Sequence, residues 1–156
     1  MFAGQYEHTL DSKGRIIIPA KLRQVVVKEN PEILGFWATV GVDKCLYMYS
    51  PNGWEKIIEH FAFDDNPFQT ESSRQVERWF FSNAQFLEVD KTGRVNIPDK
   101  LLGKAQIADK VILAGVNKRV EVWSPILWEE YQAKIANSFK DFVEAEQFKS
   151  RPGSPD

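Results

Sequence analysis

The sequence predicts an α+β chain, mainly β, built from two pseudo-symmetric repeats with accessory helices. A block from Leu10 to Leu22 recurs from Val89 to Leu101, at a constant offset of 79 residues. A second block, Gly41-Val42-Asp43-Lys44 followed by Ser50-Pro51 and Trp54-Glu55, recurs as Gly115-Val116-Asn117-Lys118, Ser124-Pro125 and Trp128-Glu129, at an offset of 74. Both blocks keep their order while the spacer shrinks by five residues, as expected of a duplicated unit that has lost part of a loop. The 156 residues are 43% hydrophobic, enough apolar material for a real core.

Each element follows from local chemistry. Tyr6–Leu10 and Arg15–Ile18 read as the strands of a β-hairpin. Between them, Asp11 and Gly14 hold the first and fourth positions of a turn, where type I geometry favours Asp and Gly. Asp90 and Gly93 repeat that turn, and positive φ is expected at both glycines. Pro19 and Pro98 are placed as the first residues of short helices. Phe36–Val40 and Leu46–Tyr49 form a second hairpin, copied by Val111–Ala114 and Arg119–Trp123. Ser50-Pro51 and Ser124-Pro125 are helix starts, an N-cap followed by proline.

Apolar residues then fall at helical spacing: Trp54, Ile57, Ile58 and Phe61 in one helix, and Trp128, Tyr131, Ile135, Phe139 and Phe142 in a longer one. Residues 63–69 read as a loop and Thr70–Phe81 as a helix burying Val76, Trp79 and Phe80. The organisation is repeat 1 over residues 5–53, a helical linker over 54–81, repeat 2 over 82–126, a C-terminal helix over 127–149 and a disordered tail over 150–156.

Composition narrows the chemistry. The opening Met1–His8 lacks the basic and long apolar regions of a signal peptide, and an uncharged stretch such as Ile33–Val42 is well short of the roughly 18 apolar residues of a membrane span, so a cytoplasmic protein is expected. The single cysteine, Cys45, forms no internal disulfide, and with only two histidines no zinc ligand set or cofactor site is expected. A duplicated Asp turn invites comparison with acid proteases. Arg15 and Arg94 argue against it, because an adjacent guanidinium keeps each carboxylate ionised, whereas a protease dyad shares a proton. No catalytic residues are assigned.

Local charge points elsewhere. The net charge is −2, yet residues 11–28 carry five cations against Asp11 alone, and residues 90–104 carry four against two. An acidic body thus bears two basic segments. No type I turn requires the Arg that follows its glycine. Arg15 and Arg94 can clamp Asp11 and Asp90, or present two parallel donors to phosphate or guanine, and the uses can coexist. A two-stranded ribbon fits the major groove, where Arg against guanine O6 and N7 is the commonest specific contact. Candidate DNA-contacting residues are therefore Arg15, Lys13, Lys21, Arg94 and Lys91, on turns fixed by Asp11, Gly14, Asp90 and Gly93. Local charge ranks Arg15 ahead of Arg94, since Asp99 stands where the first copy has Ala20; the second copy also has Asn96 in place of Ile17. Trp37, Tyr47, Tyr49, Trp54, Trp79, Trp123 and Trp128 are assigned to packing rather than base stacking.

The opening Met1-Phe2-Ala3-Gly4, the Leu10–Pro19 segment, its copy Val89–Pro98, and Asn117-Lys118 with Trp123 together resemble the bacterial MraZ family, which has two tandem SpoVT-AbrB-type units. The resemblance covers nearly everything except the tail, and places Asp11 with Arg15 and Asp90 with Arg94 in the two copies of the family's signature. It implies a double-split, swapped-hairpin β-barrel of AbrB/MraZ type, assembled into a ring homo-oligomer. It further implies a nucleoid-associated transcriptional regulator, expected to repress, that binds double-stranded DNA at the promoter of the division and cell-wall gene cluster. Head-to-tail closure of a ring favours direct repeats in that DNA. The competing reading is an oligomeric scaffold or antitoxin-like module whose arginines hold protein carboxylates. Salt-dependent binding to promoter DNA separates the two.

Overall fold

The computed structural model describes residues 1–62, 66 and 68–149. Expectations for the 150–156 tail, and for most of the 63–69 loop, lie outside the described residues. The chain divides into two units, 1–125 and 126–156. The first holds both copies of the Leu10–Leu22 block and the helices between them.

Repeat 1 supplies β1 (Phe2–Thr9), β2 (Arg15–Ile17), α1 (Ala20–Glu29), β3 (Gly35–Val40) and β4 (Leu46–Tyr49). Next come α2 (Pro51–Ala62) and α3 (Glu71–Ser82). Repeat 2 supplies β5 (Gln85–Glu88), β6 (Arg94–Asn96), α4 (Asp99–Lys104), β7 (Lys110–Asn117) and β8 (Arg119–Trp123). A six-stranded antiparallel sheet runs β1-β7-β8-β4-β3-β5, and β2 pairs with β6 in a separate two-stranded ribbon.

These pairings are an exchange. The first strand of each repeat pairs with the third strand of the other: β1 lies on β7, with Phe2 opposite Asn117 and Thr9 opposite Lys110, and β5 lies on β3. The fourth strands meet at the centre, where Tyr47 faces Glu121, and the second strands meet in the ribbon, where Ile16 faces Val95. Both central pairs relate the repeats by an approximate two-fold axis.

The exchange corrects the first predicted hairpin. The Asp11–Gly14 turn forms, but its flanking strands diverge, β1 into the large sheet and β2 into the ribbon, and so do not pair with each other. Periodicity set which faces are buried. It carried no information on whether a strand pairs with its sequence neighbour or its repeat counterpart, since both bury the same face. The second hairpin of each repeat pairs as expected. Pro19 and Pro98 sit at the N-cap, one position outside the predicted helix start, while Pro51 and Pro125 are first helical residues.

The core is drawn equally from both copies: Ile16, Ile18, Leu22, Phe36, Leu46 and Met48 from the first, Val95, Ile97, Leu101, Leu113, Val120 and Val122 from the second. On the outer face of the sheet, Trp54 of α2 stacks on Trp37 at 5.2 Å and meets Phe80 and Phe81 of α3. Each such aromatic pair adds about 0.5–1.5 kcal/mol beyond its buried area. Thr39, fully buried, donates its hydroxyl to the Phe80 carbonyl and ties α3 to β3. Only part of the predicted α3 face is covered. Val76 and Trp79 are each 56% exposed, because Phe80 and Phe81 turn inward instead, and Lys104 lies 4.8 Å from the Trp79 ring.

In the second unit the predicted single helix is two, α5 (Pro125–Ala136) and α6 (Phe139–Lys149). Asn137-Ser138 separates them, both poorer helix formers than the Ala-, Lys- and Glu-rich segments around them. Trp128 stacks against Tyr131 within α5. No described helix is long and apolar enough to cross a membrane.

Candidate nucleic-acid interface

Both duplicated turns are built by one aspartate. Asp11 Oδ1 accepts from the backbone N–H of Lys13 and of Arg15, each at 2.9 Å, and Asp90 Oδ1 does the same for Thr92 and Arg94. Gly14 N–H donates to the Asp11 carbonyl and Gly93 N–H to the Asp90 carbonyl, both at 3.0 Å. Gly14 takes φ +78° and Gly93 φ +83°, the left-handed conformation expected of them. A three-residue loop of this kind, a type I turn closed by a left-handed glycine, fixes the direction in which the next residue leaves. In both copies that residue is the arginine.

The turns then lock each other. Ile18 N–H donates to the Gly93 carbonyl at 2.9 Å, and Ile97 N–H to the Gly14 carbonyl at 3.2 Å. Within the ribbon, Arg15 faces Asn96 and Ile17 faces Arg94. Side chains alternate along a strand, so Ile16 and Val95 are buried in the core while Arg15, Ile17, Arg94 and Asn96 share the solvent face. The structure therefore brings Arg15 and Arg94 onto one small surface, on diagonal positions about 7–8 Å apart by ribbon geometry, with their β-carbons somewhat closer. Lys13 and Lys91 are exposed on the two turns, and Lys21 is exposed in the first turn of α1.

The two arginines are held differently. Arg15 Nε donates to Asp11 Oδ2 at 2.7 Å, an ion pair with both side chains about one-third exposed. Among the described residues the Arg94 guanidinium has no such partner; Asp90 instead takes the Thr92 hydroxyl at 2.7 Å. The Arg15 backbone amide, helped by its side chain and the Lys13 amide, holds the Asp11 carboxyl down to about 2. The Arg94 amide and the Thr92 hydroxyl lower Asp90, and the Arg15 charge reaches it as well. Two carboxyls held ionised in this way do not share a proton, in line with the argument against a protease dyad.

Sequence reasoning missed the role of Arg23. Its Nε donates to the Ile18 carbonyl at 2.9 Å, and its guanidinium carbon lies 3.0 Å from the point a β-carbon on Gly93 would occupy. An arginine of repeat 1 thus braces the turn of repeat 2. The residue at the matching place in repeat 2 is Leu102, which is buried and braces nothing of the kind. The second turn consequently has a cation beside it that a count along its own segment omits. Only the swapped pairing brings Arg23 there, so no local signal marked it.

Other polar groups serve packing. Glu121, 8% exposed, accepts from Arg119 Nε at 2.9 Å and from Trp123 Nε1 at 3.1 Å, and Arg119 lies 4.3 Å over the Tyr47 ring. Burial pushes the Cys45 thiol far up, which removes it as a nucleophile. Among the described residues no cluster of His, Cys, Asp and Glu is arranged to hold a metal.

A family described as "MraZ protein, putative antitoxin-like" matches residues 1–79 and again residues 80–149. "Transcriptional regulator MraZ" of Caldanaerobacter subterraneus subsp. tengcongensis is 42% identical over 144 residues, which cover 92% of this chain and 95% of the relative. Proteins of the same name from Thermoanaerobacter sp. (strain X514) and Natranaerobius thermophilus are 40% and 38% identical over the same shares. These relatives are named as regulators, not as enzymes.

Proposed function

Because the chain belongs to the MraZ family, we propose that it is a transcriptional regulator that binds double-stranded DNA directly, through the solvent face of the β2–β6 ribbon. The observation that carries this reading is the pair of arginines on one face of a two-stranded ribbon, each following a rigid Asp-to-Gly turn. A ribbon of this width enters the major groove, where Arg15 and Arg94 meet base edges or phosphates. Lys13, Lys91 and Lys21 supply phosphate contacts that position the ribbon without reading sequence.

The acidic chain, net −2, binds weakly as one copy. A closed ring of copies offers the same ribbon repeatedly in one rotational sense, which matches direct repeats. Simultaneous engagement raises avidity by about 10² to 10⁴. The target is the promoter of the division and cell-wall gene cluster, the output is repression, and the protein acts in the cytoplasm at the nucleoid.

Gel shifts with one, two and three copies of the site, in direct and inverted arrangement and at two salt concentrations, test this reading. Tight, salt-dependent binding to direct repeats supports it, with log affinity falling by about 0.9 per neutralised phosphate for each unit of log salt. Binding that ignores salt, or that prefers inverted repeats, refutes it. The scaffold reading draws on the Arg15–Asp11 pair, an arginine already satisfied by a protein carboxylate. It requires that promoter DNA not be bound at all.

A further inference from the structure

The approximate two-fold axis through the ribbon relates Arg15 to Arg94, but it relates Ile17 to Asn96, and those two side chains share nothing chemically. Both face solvent beside the arginines. Ile17 is 41% exposed, whereas the other ribbon isoleucine, Ile16, is buried. Asn96 is exposed, and among the described residues its carboxamide makes no side-chain hydrogen bond; its Oδ1 lies 3.6 Å from where a β-carbon on Gly14 would sit, ordinary contact distance. Register puts Asn96 directly opposite Arg15 and Ile17 directly opposite Arg94. One end of the face therefore offers a guanidinium with a carboxamide, and the other a guanidinium with an aliphatic group.

Resting on the reading of this ribbon as the DNA-binding surface, we propose that Asn96 and Ile17 are specificity-determining residues that give the ribbon a direction on DNA. The Arg15–Asn96 end reads a guanine beside an adenine, since a carboxamide pairs with adenine N6 and N7 as a guanidinium pairs with guanine O6 and N7. The Arg94–Ile17 end reads a guanine beside a thymine, whose 5-methyl group is the one apolar feature of the major groove. A face with two-fold-related arginines alone favours a palindromic site. These two residues break that symmetry without adding charge, so a single protomer recognises an oriented, non-palindromic site.

The test is selection of bound duplexes from a randomised pool by the full-length protein and by two symmetrised variants, Ile17→Asn and Asn96→Ile. Affinity for the selected and scrambled duplexes is then measured across salt. Both side chains are solvent-facing, and Ile17→Ala with Asn96→Ala provide milder substitutions at the same places. The wild type enriches a site that differs from its reverse complement. Ile17→Asn enriches a site whose halves are reverse complements, and Asn96→Ile loses the adenine preference. Asn96→Ala lowers the ratio of specific to scrambled binding by about 5- to 150-fold, the range for one lost bidentate base contact. The salt slope stays unchanged throughout. An identical site from all the variants, or a ratio that Asn96→Ala and Ile17→Ala leave intact, overturns this inference alone. A wild type that enriches no site overturns the DNA reading and takes this inference with it.

Discussion

The bracing of one turn by the other repeat is measurable as a difference between two alanine substitutions. At Gly14, a β-carbon meets nothing closer than the Ile97 carbonyl oxygen at 3.5 Å, so Gly14→Ala is charged only with holding φ +78°. A left-handed L-residue costs about 1–2 kcal/mol, or roughly 2–8 °C of melting temperature in a chain this long. At Gly93 the same backbone cost applies at φ +83°, and the new methyl must also displace the Arg23 guanidinium from 3.0 Å. The guanidinium is the far end of a flexible side chain and moves readily, but moving it gives up the bond to the Ile18 carbonyl. That adds about 1 kcal/mol. Gly93→Ala is therefore expected to lower the melting temperature more than Gly14→Ala. In an Arg23→Ala background the excess disappears and the two substitutions cost the same. Thermal denaturation of the four variants decides it. Equal losses in the wild-type background, or a gap that survives Arg23→Ala, refute the idea that Arg23 braces the second turn.

Gly14→Val is expected to lose more stability than Gly14→Ala, because a β-branched side chain is strained further at positive φ, and the same melts check it. Arg15→Ala should leave the fold intact, as the turn is made by Asp11 and backbone amides, yet abolish specific binding in a gel shift; Arg15→Lys should largely fail too, lacking the two-pronged donor. The Asp11 carboxyl should titrate near 2 by carbon NMR, and in Arg15→Ala should shift upward yet stay below the ordinary 3.8, because the retained backbone amide is the largest cause. The folded value is depressed, so the stability Asp11 contributes is present above about pH 4 and lost as pH falls toward 2. Glu121→Ala should cost about 3 kcal/mol by chemical denaturation, because it strands the Arg119 charge against the sheet.

Much of the site was legible because it is local. The Asp-to-Gly spacing encodes the turn, and the arginine that follows has no turn duty. The duplicated Leu10–Leu22 block announced a related partner for every element of repeat 1. Which elements touch was not legible: Tyr6–Leu10 and Arg15–Ile18 carry the same inward residues whether they pair with each other or are exchanged. Arg23 went unnoticed for the same reason, its contact lying seventy residues away across the exchange. Trp79 has the helical spacing of a buried residue, yet Phe80 and Phe81 next to it are larger in number and better aimed at Trp54, and a helix cannot bury three successive side chains on one sheet.

The exchanged strands also set a timetable for synthesis. β1 is complete when residue 9 has been made, but its partner in the sheet, β7, ends at Asn117. At about 5–20 residues per second, that partner arrives roughly 5–20 s later. Throughout this interval the nascent first repeat has no completed sheet, and Phe2, Ile16, Ile18 and Phe36 have no second half of a core to enter. Closing so long a loop comes late and slowly, since its entropy must be met before any contact rewards it. The duplication that lets one chain complete its own barrel also leaves its leading half with open strand edges on the ribosome, able in the meantime to pair with a neighbouring nascent copy instead.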